Sequence, residues 1–264
     1  MTSVSAIVRN LRPLEGRAYI GLIGLAILMN AKWVSLDKAL LAFTAGVLFV
    51  WYAFSINNCF DVDTDSLNPD KVKKNPIASG ELSFAGGLTL SIVLSLLGVL
   101  IASKTNPVMF AIYVLMTALA TIYSAPPRLK ARPIIDVLSH GLFFGGLPFL
   151  YGASIDGRIS SIEALIALSV TLYSFALELR NHLGDYESDL KAGLKTTPVV
   201  LGKKVSEKLV VTFSWASIIL LMVALTPLGA FGTLALRLKV NYRALDALML
   251  ALLVAHTARV MLGG

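Results

Sequence analysis

Residues 40–65 read LLAFTAGVLFVWYAFSINNCFDVDTD. An apolar run long enough to cross the hydrocarbon core of a bilayer ends abruptly in an amide and a row of carboxylates. Working outward, eight more apolar segments surround this one. Together the nine lie near 17–34, 39–59, 84–103, 107–124, 134–154, 162–181, 208–225, 227–237 and 244–262, the eighth being short for a span. The composition agrees: 56% of the 264 residues are hydrophobic, 15% are charged, and mean hydropathy is +0.75. A soluble domain carries about 25% charged residues. The expected fold is all-α: a polytopic membrane protein with nine transmembrane helices.

Lys and Arg set the orientation, because cytoplasmic loops are enriched in them. Eighteen of the 23 fall on one side of the nine spans: Arg9, Arg12 and Arg17, then Lys71, Lys73 and Lys74, then clusters in 125–133, 180–208 and 237–243. Lys32, Lys38, Lys104, Arg158 and Arg259 fall on the other. This split predicts a cell-membrane protein with a cytoplasmic N-terminus and cytoplasmic long loops at 60–83 and 182–207. The net charge of +7 fits those loops and an anionic substrate, not nucleic acid. Met1 to Leu14 has no hydrophobic core of its own, so no cleavable leader is expected. The single cysteine, Cys59, excludes an intramolecular disulfide and reads as a small packing residue.

The acids cluster on the basic side. Asn57, Asp61 and Asp65 form Asn-x3-Asp-x3-Asp, and so do Asn181, Asp185 and Asp189, 124 residues later. Each follows an apolar span, and each has a further acid, Asp63 or Glu187, two residues before its last Asp. The offset reads as an internal duplication within one domain, 1–264, with halves near 15–125 and 132–237 and a last helix near 244–262. On a continuous helix, positions i, i+4 and i+8 share one face. Two such helices facing each other would gather four carboxylates, an arrangement that repels itself unless cations are bound. All-oxygen donors suit Mg²⁺, which takes one or two carboxylates and completes its shell with phosphate oxygens.

These motifs resemble those of the UbiA-type intramembrane prenyltransferase superfamily. Its first signature, Asn-Asp-x-x-Asp-x-x-x-Asp, is matched by Asn57, Asp61 and Asp65, with Asn58 where an Asp is usual. Its second, Asp-x-x-x-Asp before Gly-x-x-Thr, is matched by Asp185, Asp189, Gly193 and Thr196. Asn75 to Gly80 is similar to Arg-Pro-x-x-Ser-Gly, with Asn75 in place of the basic residue, and Tyr123 to Lys130 is similar to Tyr-Ser-x-Pro-Pro-x-x-Lys. The resemblance implies a ring-like bundle of two four-helix repeats plus one helix. It also implies transfer of a prenyl group from an isoprenyl diphosphate to a lipophilic or aromatic acceptor, a quinone precursor or a glyceryl-ether lipid, with release of diphosphate. Two Mg²⁺ ions would bridge the motifs and the diphosphate while the allylic C–O bond ionises, and an apolar chamber would keep water from the cation.

On this reading Asp61, Asp65, Asp185 and Asp189 are the catalytic acids, and with Asn57 and Asn181 they form the metal set. Asn57, Lys73, Lys74, Tyr123, Arg128, Lys130, Arg180 and Asn181 are the expected substrate contacts, each cation also being readable as an ordinary loop charge. Phe54, Phe143, Phe144, Phe149, Tyr173 and Phe175 either line the prenyl chamber or pack between helices. Gly141, Gly145 and Gly146 are expected to let helices approach closely. Glu178 is expected to face the chamber, and Asp136 with His140 to form a buried polar pair. A CDP-alcohol phosphotransferase would need Asp-Gly-x-x-Ala-Arg, which is absent from the sequence. A cation-coupled transporter would place its acids near mid-membrane, whereas these sit at one face.

Overall fold

Helix ends in this chain are written in its caps. Ser83 receives the Gly86 N–H at the start of one helix, Asn106 the Met109 N–H at the next, and Ser160 forms a reciprocal capping box with Glu163. The computed structural model describes residues 3–225 and 241–263, and among these residues the chain is helical throughout, with no strand. The helices are α1 (Val4–Leu11), α2 (Pro13–Met29), α3 (Leu36–Phe60), α4 (Val62–Asp65), α5 (Pro69–Val72), α6 (Phe84–Ala102), α7 (Pro107–Ser124), α8 (Ile135–Gly141), α9 (Leu147–Ala153), α10 (Ser161–Gly184), α11 (Tyr186–Lys191), α12 (Thr197–Leu201), α13 (Lys203–Ala224) and α14 (Tyr242–Met261).

Eight of the nine expected segments coincide with helix, and the eighth, 227–237, lies outside the described residues. Among the described residues, six helices (α3, α6, α7, α10, α13 and α14) are long and apolar enough to cross a membrane. The first segment starts earlier than expected, at Pro13, because proline suits the first turn of a helix, where its missing N–H costs nothing. The fifth is broken: α8 and α9 are joined by a turn of π-helix, Leu142–Gly146. Its glycines face α10 so closely that a Cβ on Gly145 would lie 2.8 Å from Ser174 Cβ and 3.1 Å from the Val170 carbonyl oxygen.

The most extensive pairings are α3 with α6 and α10 with α13. Each joins a motif-bearing helix to the next long helix. One core surrounds the fully buried Phe49, Tyr113 and Tyr151; a second joins α10, α13 and α14 through Ile166, Ile218, Leu221 and Met249. α14 touches both α13 and α2, so the end of the chain closes against its beginning. Cys59 packs with Ile77 and Leu82, as its surroundings in sequence suggest.

Candidate active site

Both motif helices stop at the same place. α3 ends at Phe60 and Asp61 takes φ −105°, ψ 5°; α10 ends at Gly184 and Asp185 takes φ −93°, ψ 2°. A short helix restarts after each. The expected single stripe at i, i+4 and i+8 is therefore broken after its amide. The two acids stay in register within the second piece, since Asp65 N–H donates to Asp61 O (2.7 Å) and Asp189 N–H to Asp185 O (2.9 Å).

The break turns both acid pairs into one cavity of about 390 Å³ lined by Asn57, Asp61, Asp65, Asn181, Asp185 and Asp189. Cations and donors from elsewhere in the chain meet each carboxylate. The Lys130 ammonium donates to Asp61, with Arg128 3.7 Å away. Asn75 donates to Asp65 (2.9 Å), and Arg12 lies 3.6 Å from it. Lys71, from the loop after the first motif, reaches across to Asp185 of the second (2.8 Å). Thr196 donates to Asp189 (3.3 Å).

Crowding of like charge leaves its mark on the acids. Burial, then the neighbouring Asp61, holds the Asp65 carboxyl above its usual range. Burial, reinforced by Asp185 and opposed by His182, pushes Asp189 up to about 6. Burial works against the charge on Lys71, but the Asp185 carboxylate outweighs it and holds the ammonium above its ordinary value.

These residues fit Mg²⁺. The donor set is oxygen only, and among the described residues no three His, Cys, Asp or Glu side chains gather around one point. Such a set leaves coordination positions for phosphate oxygens, as Mg²⁺ sites commonly do. The fit to an anion is equally physical. The Arg12 Nε and Nη2 groups line the cavity's surroundings buried and without a hydrogen-bond partner. Beyond the 3.6 Å ion pair with Asp65, these buried donors lack hydrogen bonds, which is costly, and an anion in the cavity would supply them.

Below the carboxylates the walls turn aromatic. Tyr19 stacks on Phe144 (4.3 Å), Phe54 lies 5.4 Å from Phe144, and Phe143 4.9 Å from Tyr123. Of the six candidate aromatics, Phe54, Phe143 and Phe144 line the cavity. Phe149 is in the α10–α14 core, Tyr173 donates to Asp246, and Phe175 packs on Phe213. Glu178 faces the cavity as expected, accepting from Tyr123 and from Asn181 (3.2 Å). Asp136 and His140 are not paired with each other: His140 is 3.3 Å from Glu178, while Asp136 accepts from Thr197 and lies 3.3 Å from His182.

Among the expected substrate contacts, Asn57, Lys74, Tyr123, Lys130 and Asn181 line the cavity. Arg128 stands just outside, bidentate to Asp63. Lys73 points to solvent and pairs with Asp70, and Arg180 forms a bidentate pair with Asp246 on α14 (2.8 and 3.2 Å) over the Tyr242 ring. The structure thus removes Lys73 and Arg180 from the cavity and supplies Arg12 and Lys71. Arg12 was readable only as one of several N-terminal cations; its position follows from α1 folding back.

The sequence matches the UbiA prenyltransferase family over residues 18–260. The chain belongs to that family. A UbiA homologue from Archaeoglobus fulgidus, solved bound to GPP and Mg²⁺, is 25% identical, with a TM-score of 0.77 over 97% of this chain and 99% of that one. Digeranylgeranylglyceryl phosphate synthase of Methanothrix thermoacetophila is 32% identical over 208 residues, 77% of this chain and 73% of that protein. The 2-acylphloroglucinol 4-prenyltransferase of Humulus lupulus is 30% identical over 182 residues, 66% of this chain and 43% of that protein. The UbiA family's prenyltransferase chemistry separates this chain from both the phosphotransferase and the transporter readings.

Proposed function

We propose that this enzyme transfers a prenyl group from an isoprenyl diphosphate to a lipophilic or aromatic acceptor, of glyceryl-ether lipid or quinone-precursor type, with Mg²⁺ as cofactor. The observation that carries the reading is the convergence of both motifs on one cavity that also presents the Arg12 guanidinium, whose Nε and Nη2 have no hydrogen-bond partner. Asn57, Asp61, Asp65, Asn181, Asp185 and Asp189 would hold the metal, two ions in number, one for each motif. When bound, magnesium neutralises charge growing on the leaving diphosphate. Arg12, Lys71, Lys74 and Lys130 add fixed positive charge on the same group. Tyr19, Phe54, Phe143 and Phe144 exclude water from the allylic carbon and turn π faces toward a developing cation.

The same reading keeps nine spans in the membrane, of which the expected eighth, 227–237, lies outside the described residues, and places the N-terminus and the active-site loops in the cytoplasm. The matching break in α3 and α10, and the matching α3–α6 and α10–α13 pairs, support two duplicated halves. The test is direct: purified protein should bind radiolabelled geranyl diphosphate with Mg²⁺ and release it with a chelator. Asp61→Ala and Asp185→Ala should each abolish that binding. Undiminished Mg²⁺-dependent binding in both variants overturns the assignment.

A further inference from the structure

A second cavity, about 620 Å³, lies at the opposite ends of the helices. It is bounded by the first turn of α3, the turn between α6 and α7, and the segment after α9. α3 has 25 residues and rises about 1.5 Å per residue, so this hollow is a membrane thickness away from the carboxylates.

Three cations converge on it: Lys38, Lys104 and Arg158. That is unexpected on this side. The positive-inside bias depletes Lys and Arg here, and three of the five such residues assigned to this face meet in one hollow. Among the described residues nothing hydrogen-bonds or pairs with the Lys104 ammonium or the Arg158 guanidinium. Lys38 has its exposed neighbour Asp37 as a countercharge. The one acid in the lining, Asp156, accepts from the Arg158 main-chain N–H (3.0 Å).

The rest of the lining is apolar or already engaged. Leu41, Met109 and Ile155 form the floor, and the Asn106 amide is spent on the Ser154 and Ile155 carbonyls (2.8 and 3.1 Å). Leu36, in the same first turn of α3 as Lys38, is exposed, as a chain-facing residue would be. A ligand held here needs negative charge at its rim end and an apolar body. We propose that this hollow holds the phosphodiester head of an anionic membrane lipid, with the acyl chains running down the adjoining apolar face. This site is independent of the donor cavity.

Native mass spectrometry of the detergent-solubilised protein tests it, with phosphatidylglycerol, phosphatidylcholine and inorganic phosphate as probes. Each basic residue near a membrane surface contributes roughly a fivefold preference for anionic lipid. Wild type should therefore retain phosphatidylglycerol over phosphatidylcholine, and Lys38→Gln/Lys104→Gln/Arg158→Gln should lose about a hundredfold in its affinity. The charge-matched control Lys203→Gln/Lys204→Gln/Lys208→Gln, on the other face, should bind as wild type does. Equal retention of phosphatidylglycerol by wild type and the first triple variant overturns the proposal. So does displacement of the lipid by inorganic phosphate, which would make the hollow a soluble-anion site.

Discussion

Replacing Asn58 by Asp restores the residue usual in the family and should weaken the enzyme. Asn58 is fully buried and does not line the cavity. Its amide donates to both the main-chain oxygen and Oδ1 of Asn10 on α1, each at 3.1 Å. Asn10 in turn donates to Ser55 (2.6 Å), which also receives Ser91 (2.8 Å). α1 has eight residues, too few to be a stable helix alone, and its buried residues are only Ala6 and Asn10. The polar clamp therefore holds it. An aspartate cannot donate when ionised and would face two acceptor oxygens. Two lost hydrogen bonds cost about 1 kcal/mol each, and a buried charge without a partner brings the total to roughly 3–5 kcal/mol. Arg12 caps α1 in a left-handed conformation (φ 46°, ψ 55°), so releasing α1 withdraws its guanidinium from Asp65. Hydrogen exchange over residues 4–11 should rise sharply in Asn58→Asp. Affinity for geranyl diphosphate with Mg²⁺ should fall by one to two orders of magnitude, and Asn58→Ala, which buries no charge, should lose less. Unchanged protection of α1, or a gain in donor affinity from a fifth carboxylate, would refute the reasoning.

Two further outcomes follow from the same geometry. Asp189, raised to about 6 in the folded protein, binds its proton more tightly there than in an unfolded chain at about 3.9. Stability of the metal-free protein should thus fall as pH rises from about 4 to about 6, and Mg²⁺ should raise the melting temperature more at pH 7 than at pH 5; a pH-independent Mg²⁺ effect in thermal-shift measurements contradicts this. Gly145→Ala should lower the melting temperature by an overpacking cost of about 1–3 kcal/mol, because its Cβ meets the Val170 carbonyl and Thr171 Cα of α10 at 3.1 and 3.2 Å; an unchanged melting curve would mean that the π-turn gives way freely.

Apolar runs made the long helices legible, and the repeated Asn-x3-Asp-x3-Asp made the six cavity-lining motif residues legible. What escaped the reading depends on local backbone breaks and on long-range pairing. A break at Asp61 and Asp185 is not encoded by periodicity, and neither is the π-turn at Leu142–Gly146, since both sit inside otherwise helical patterns. Lys71, Lys73 and Lys74 looked alike as a basic cluster. Only the turn of α5 decides that Lys71 reaches Asp185 while Lys73 faces solvent. Arg180 follows the second motif helix's pattern, but its partner, Asp246, is 66 residues away on α14, beyond any spacing rule.

Carrying the 124-residue offset one position past each motif's Asn pairs Asn58 with His182, and the two do the same job with different chemistry. Asn58 ties α3 to α1 through Asn10. His182 ties α10 to α8, lying 3.0 Å from Glu178 and 3.3 Å from Asp136. A ring fits between two acids at 182 because Asp136 is already held by the Thr197 N–H and hydroxyl, and Glu178 by Tyr123 and Asn181. Asn58 has no such acid among its hydrogen-bond partners: they are Asn10 and Asn75, with Ser55 and Ser91 one and two bonds further on through Asn10. A charged residue at 58 would lack a counterion, and a neutral amide with two donors is what two facing oxygens require. Asn58 thus sits outside the cavity and bonds α3 to α1, the arrangement the Asn58→Asp experiment probes. The four carboxylates at Asp61, Asp65, Asp185 and Asp189 are the full acidic complement that the two motifs bring to the cavity.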